Sequence, residues 1–146
     1  MVRSFNLTAP ELDQASERPG YEWRGARVGQ ALGAEQIGAC LYELEAGQRI
    51  HPYHFHHGIE EWLLVVAGSP VVRTPEGERA LKPGDVLCFP LGSDGGHQVA
   101  GPGTVLMISE KRALDVVEYP DSGKVAVHPP GTVFHAADAV DVWEGE

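Results

Sequence analysis

The sequence predicts an all-β fold, an antiparallel sandwich or barrel, and three observations predict it. Short apolar runs recur along the chain, "GACLYELEAG", "EEWLLVVAGSP", "VVRTPEGERAL", "KPGDVLCFPLG" and "GTVLMISEKR", each closed by Gly, Pro or an acidic turn residue. The 18 glycines and 11 prolines among 146 residues favour frequent turns over long helices. Helical patterning is confined to "APELDQA", Ala9 to Ala15, where one turn can form, and "FHAADAVDVW", which reads as a short helix or a strand.

Taken in order, residues 1–20 read as an extended arm with little order of its own, and "CLYEL" as the first core strand. In "EEWLLVV", Glu61 shares its parity with Leu63 and Val65, the inward set, while Glu60 falls on the other face. "TPEGE", Thr74 to Glu78, is a hairpin turn, and "KPGD", Lys82 to Asp85, has Pro and Gly where a type II turn wants them. The glycines of "PLGSDGGH" let the following loop close tightly on whatever His97 approaches. One domain of 1–146 is expected, with a core over about 21–112 and an extension over about 113–146, because the remainder is too short for a second core.

Charge and cysteine usage exclude several classes. A net charge of −10, from 21 acidic against 11 basic residues, supplies no basic stripe for phosphates, so no nucleic-acid partner is expected. No run of about 18 apolar residues exists to span a bilayer, and "MVRSFNLTAPELDQ" lacks a secretory apolar region, so no membrane partner and a cytoplasmic location are expected. Cys40 and Cys88 lie far apart in apolar runs and read as two buried thiols.

"HPYHFHHGIEEW", His51 to Trp62, concentrates four of the chain's seven histidines beside two glutamates. An extended backbone sends His54 and His56 to one face and Tyr53, Phe55 and His57 to the other. Two imidazoles on one strand face can converge on a single ion. Glu61, at the end of a buried strand, needs a partner or an ion to offset its desolvation. His51 and His57 read as rim or outer-face residues, and His128 and His135 carry no spacing signal.

Two spaced motifs extend this reading. Gly47, His54, His56, Glu61 and Gly68 fall as G-x6-H-x-H-x4-E-x6-G, and Gly84, Pro90, Gly92 and His97 as G-x5-P-x-G-x4-H. Together they resemble the paired motifs of the cupin superfamily, in particular small single-domain bacterial cupins, over about Gly38 to Ser109. Two departures stand out: the interval from Gly47 to His54 is one residue longer than the commonest form, and Gly101 stands where Asn is usual. The resemblance implies a double-stranded β-helix, a jelly-roll barrel with a short amino-terminal arm and a carboxy-terminal extension. It also implies His54, His56, Glu61 and His97 as ligands of one divalent transition-metal ion, among Fe, Mn, Zn, Ni, Co and Cu.

Four protein ligands leave about two open positions on an octahedral ion, which suits several chemistries. Three uses therefore stay open: a mononuclear dioxygenase, isomerase or lyase acting on a small oxygenated molecule, a metal-dependent ligand-binding or sensor module, or a barrel kept for assembly. Tyr42, Tyr53, Glu43 and Glu60 are candidates for a second acid or base, with Tyr42 foremost because "CLYEL" runs near the first motif. Trp62, Leu64 and Val66 make the face opposite Glu61 apolar as well, which predicts a homodimer interface or, alternatively, a tail with Trp143 folded back over it.

Overall fold

Alternation of apolar and polar side chains organises the chain from its first hairpin. In the computed structural model, which describes residues 1–146, β1 (Gln14–Arg18) pairs antiparallel with β2 (Tyr21–Ala26), and a single helical turn, α1 (Val28–Leu32), follows. The chain continues through β3 (Ile37–Leu44), β4 (Phe55–His56), β5 (Glu61–Gly68), β6 (Val71–Thr74), β7 (Gly77–Ala80) and β8 (Val86–Phe89). Next come β9 (Gln98–Ala100), β10 (Gly103–Glu110), β11 (Asp115–Tyr119), β12 (Lys124–His128) and β13 (Thr132–His135). No helix is long and apolar enough to cross a membrane.

Three open sheets result: six strands in the order β1-β2-β3-β10-β5-β8, four in the order β13-β12-β11-β4, and three in the order β7-β6-β9. This is an all-β, cupin-like arrangement. The main core lies where the six-stranded sheet, through Leu44, Leu63, Val65, Leu87, Phe89 and Val105, meets Val72 and Val99 of the three-stranded sheet. Turn chemistry sets the connections as the sequence predicts: β6 and β7 meet across Thr74 and Gly77, and Asp85 closes the preceding loop by donating its N–H to Lys82 O at 3.0 Å. At Gly68 a side chain would press on the backbone of Gly103, 2.6 Å from its Cα, and φ is +80°, so glycine is required twice over.

The opposite face of the six-stranded sheet has its own cover. Leu41, Leu106, Ala26 and Val28 form a second cluster, against which Leu64 and Val66 pack together with Phe5, Leu7 and Leu12. The amino-terminal arm, with little order of its own, is thus anchored on the sheet, with Gln14–Arg18 part of it. Its apolar residues help to keep that cluster from water.

Some expectations change. The helical turn forms at Val28–Leu32 and not at Ala9–Ala15. Cys88 is exposed and Cys40 half-buried, because Cys88 shares the outward parity of Val86 on the edge strand β8. Trp143 is not folded back: it is 77% exposed. The segment after Leu114 does more than extend the core, since β11 pairs with β4, the strand that carries His56.

Candidate metal centre

Local backbone pairing gathers the histidines before any side-chain chemistry is considered. His54 and His97 form an antiparallel bridge, each N–H donating to the other's carbonyl at 3.1 and 2.9 Å, so their side chains rise from one face. His56, two residues on, shares that face, and its strand is held by Val117 of β11. Glu61 opens β5 between Phe89 of β8 and Ser109 of β10, inward like Leu63 and Val65. Phe89 then lies flat on the His97 ring, centroids 3.8 Å apart and planes within 8°.

Each imidazole has one nitrogen committed outward. His54 Nδ1 faces Pro52 O at 2.8 Å, His97 Nδ1 faces Gly95 O at 2.9 Å, and His56 Nδ1 faces Asp115 Oδ2 at 2.6 Å. Carbonyls and carboxylates only accept, so these contacts place the proton on Nδ1 and leave each Nε2 lone pair facing inward. The three Nε2 atoms lie 3.8, 3.2 and 3.2 Å from Glu61 Oε2 for His54, His56 and His97. The Nε2 atoms of His56 and His97 are buried without a hydrogen-bond partner. Buried polar atoms in that condition call for an ion or a water.

His54, His56 and Glu61 offer ligand atoms within 4.8 Å of one another and form a candidate site for one divalent transition-metal ion. Electrostatics favour a cation there. Burial pushes the Glu61 carboxyl up, but contacts with His54, His56 and His97 hold it well below the usual carboxylate range. Burial lowers His56, yet Glu61 and Asp115 outweigh it and hold the imidazole above its ordinary value.

Beside this cluster is a small cavity of about 50 Å³, walled on the far side by Tyr42, His51, Ile50 and Met107. Of the four candidates for a second acid or base, only Tyr42 reaches it. Tyr42 stands edge-on to Trp23 at 4.9 Å, and burial and the neighbouring Cys40 push its hydroxyl above the ordinary tyrosine value. Tyr53 instead lies under Arg73 at 4.2 Å, Glu43 pairs with Arg24 at 3.1 Å on the surface, and Glu60 accepts from the Trp62 indole at 2.7 Å. His51 sits at the rim, its ring 6.0 Å from that of His54, where burial and His54 lower it to about 4. His57 points away and pairs with Glu118 at 2.7 Å.

Sequence reasoning missed two residues. Asp115, 8% exposed, accepts from His56 through one oxygen and from the Gly58 N–H at 2.9 Å through the other. Tyr119, on the same strand, stacks on His54 at 5.9 Å. Neither has a spacing signal, because Asp115 is 59 residues from its partner and only the β11–β4 pairing joins them.

Comparison with known proteins places these features in context. The cupin domain family Cupin_2 matches residues 40–109. No curated protein matches the chain significantly. Among solved structures, a protein assigned as a sugar phosphate isomerase from Acidithiobacillus ferrooxidans is 27% identical, with a TM-score of 0.78 over 90% of this chain and 88% of its own. A cupin-superfamily sugar phosphate isomerase from Silicibacter pomeroyi is 24% identical, with a TM-score of 0.80 over 97% and 98%. The polyketide cyclase RemF from Streptomyces resistomycificus is 21% identical, with a TM-score of 0.58 over 75% and 79%. The last two likenesses speak to the fold alone.

Proposed function

Because the chain belongs to the cupin superfamily, we propose that it is a mononuclear metal-dependent enzyme, an isomerase in preference to a dioxygenase or lyase, acting on a small oxygenated molecule. His54, His56, Glu61 and His97 hold the ion in this reading. The observation that carries it is the pair of buried, partnerless Nε2 atoms of His56 and His97, aimed at the same carboxylate. The isomerase preference rests on the likeness, at 27% identity, to the protein from Acidithiobacillus ferrooxidans.

The bound ion would supply Lewis acidity at its open positions. The chain's own residues do the rest. Asp115, Pro52 and Gly95 fix the imidazole tautomers, so no reorganisation is needed when a ligand arrives. Tyr42 presents a protonated hydroxyl to the cavity and orients an oxygenated group there, while Ile50 and Met107 exclude bulk water.

A non-catalytic binder is the second reading, favoured by one observation: the cavity wall adds no carboxylate to Glu61. Screening hydroxyaldehydes and hydroxyketones against metal-loaded protein and His97→Ala separates the two. Turnover lost in the variant supports the enzyme; metal-dependent binding without product across the panel supports the binder.

The same proposal describes one domain over 1–146 whose sheets form a double-stranded β-helix barrel, with β11 joined to β4 as support. It includes a homodimer, for which the support is an uncovered apolar strip: Trp62, 46% exposed, beside Val86 and Cys88 of β8. A cytoplasmic setting belongs to it too, since both cysteines are free thiols.

A further inference from the structure

The metal-side cavity of about 50 Å³ is too small for a whole sugar-sized molecule. Ile50, His51 and Gln98 also line a second, open cleft of about 590 Å³, bounded by the β1–β2 hairpin on one side and the start of β12 on the other. The two are thus adjacent, and a molecule whose reacting end sits in the cavity beside His51 would lay its remainder in this cleft.

The charge balance of the cleft is opposite to that of the chain. Arg18 and Lys124 line it, and neither has a carboxylate within ion-pair distance. The carboxylate in the wall, Asp121, is already taken, since Arg73 donates to its two oxygens at 2.6 and 2.9 Å. Two positive charges are therefore left without a counter-charge, in a protein of net charge −10. Hydroxyls of Ser16, Tyr21 and Ser122 share the same wall and can donate to oxyanions. Lys124 is also near the metal cluster: its ammonium lies 5.9 Å from the Tyr119 ring, which stacks on His54.

We propose that this cleft is an anion subsite in which Arg18 and Lys124 bind the phosphate of a phosphorylated substrate whose oxygenated end reaches the metal-side cavity. The inference rests on the metal-centre reading above and adds the substrate class and two residues outside the ligand set. Two cations flanked by hydroxyls match a tetrahedral dianion, since charge-assisted hydrogen bonds to phosphate are among the stronger ones available. Because both cations face open solvent, their contribution weakens as salt rises.

Glycerate and 3-phosphoglycerate test this directly, because they share a metal-chelating hydroxy acid and differ only in the phosphate. Calorimetric titration of both into metal-loaded protein is expected to show 3-phosphoglycerate binding at least ~10-fold more tightly, an advantage that shrinks with added salt. In Arg18→Gln combined with Lys124→Gln the advantage falls to within about twofold, while glycerate binding and metal content are unchanged. Arg79→Gln combined with Lys82→Gln, which removes the same number of cations from outside the cleft, keeps the advantage and excludes a net-charge effect. Equal affinity for the two compounds in the native protein, or an advantage that survives in the double variant, overturns the anion subsite and leaves the metal centre standing. Failure of both compounds to bind in a metal-dependent way overturns the metal-centre reading itself.

Discussion

Asp115 Oδ2 lies 2.6 Å from His56 Nδ1, and the other Asp115 oxygen accepts the Gly58 N–H at 2.9 Å. One carboxylate therefore fixes a ring and the turn that follows it. Replacing Asp115 by Asn turns one of its two acceptors into a donor, so either His56 loses its tautomer or Gly58 loses its partner. We expect Asp115→Asn to weaken metal affinity by roughly 10- to 100-fold, read by chelator competition. Unchanged affinity would remove Asp115 from the site's support.

The histidine interaction also fixes a pH dependence. Glu61 and Asp115 hold His56 above its ordinary value, so the metal-free folded protein keeps that proton to higher pH than the unfolded chain does. The stabilisation is fully present below the ordinary value of about 6.5 and is lost as pH rises through the raised one. An ion must displace this proton from Nε2, so loading strengthens across the same window and releases protons. Metal titrations in buffers of different ionisation enthalpy check this; a pH-independent affinity with no proton release contradicts it.

How much of this was legible in the sequence depends on which physical rule governs each residue. Strand parity places His54 and His56 together and sets Glu61 inward with Leu63 and Val65, because alternation is a local property of extended backbone. Parity fails where both faces are apolar. In β8 the inward residues are Leu87 and Phe89 and the outward ones Val86 and Cys88, so an apolar run could not reveal that Cys88 is exposed. The role of the arm escapes for a different reason: Phe5, Leu7 and Leu12 have no periodicity and acquire meaning only against the cluster of Ala26, Val28, Leu41 and Leu106. Asp115 depends on a strand pairing between distant segments, which no short motif encodes.

Tyr42 is the cavity's one tyrosine, and its ring is held by Trp23. Tyr42→Phe keeps the ring and removes the hydroxyl, so metal content stays the same. Binding of a metal-chelating hydroxy acid should weaken by roughly five- to tenfold, the worth of about one hydrogen bond. Calorimetry with glycerate measures it, and an unchanged affinity removes Tyr42 from ligand contact.

The apolar strip of Trp62, Val86 and Cys88 gives an expected oligomeric state. Sedimentation equilibrium should show a dimer for the native protein and a monomer for Trp62→Glu, because a buried unpaired charge at a subunit interface is strongly unfavourable. A native monomer at high micromolar concentration would leave this strip without an occupant.

Metal content tests the central claim most directly, by elemental analysis of protein purified without chelator. The native chain is expected to hold one divalent ion, and His54→Ala combined with His97→Ala to hold none while remaining folded by circular dichroism. An unchanged metal-to-protein ratio in that folded double variant would contradict the site.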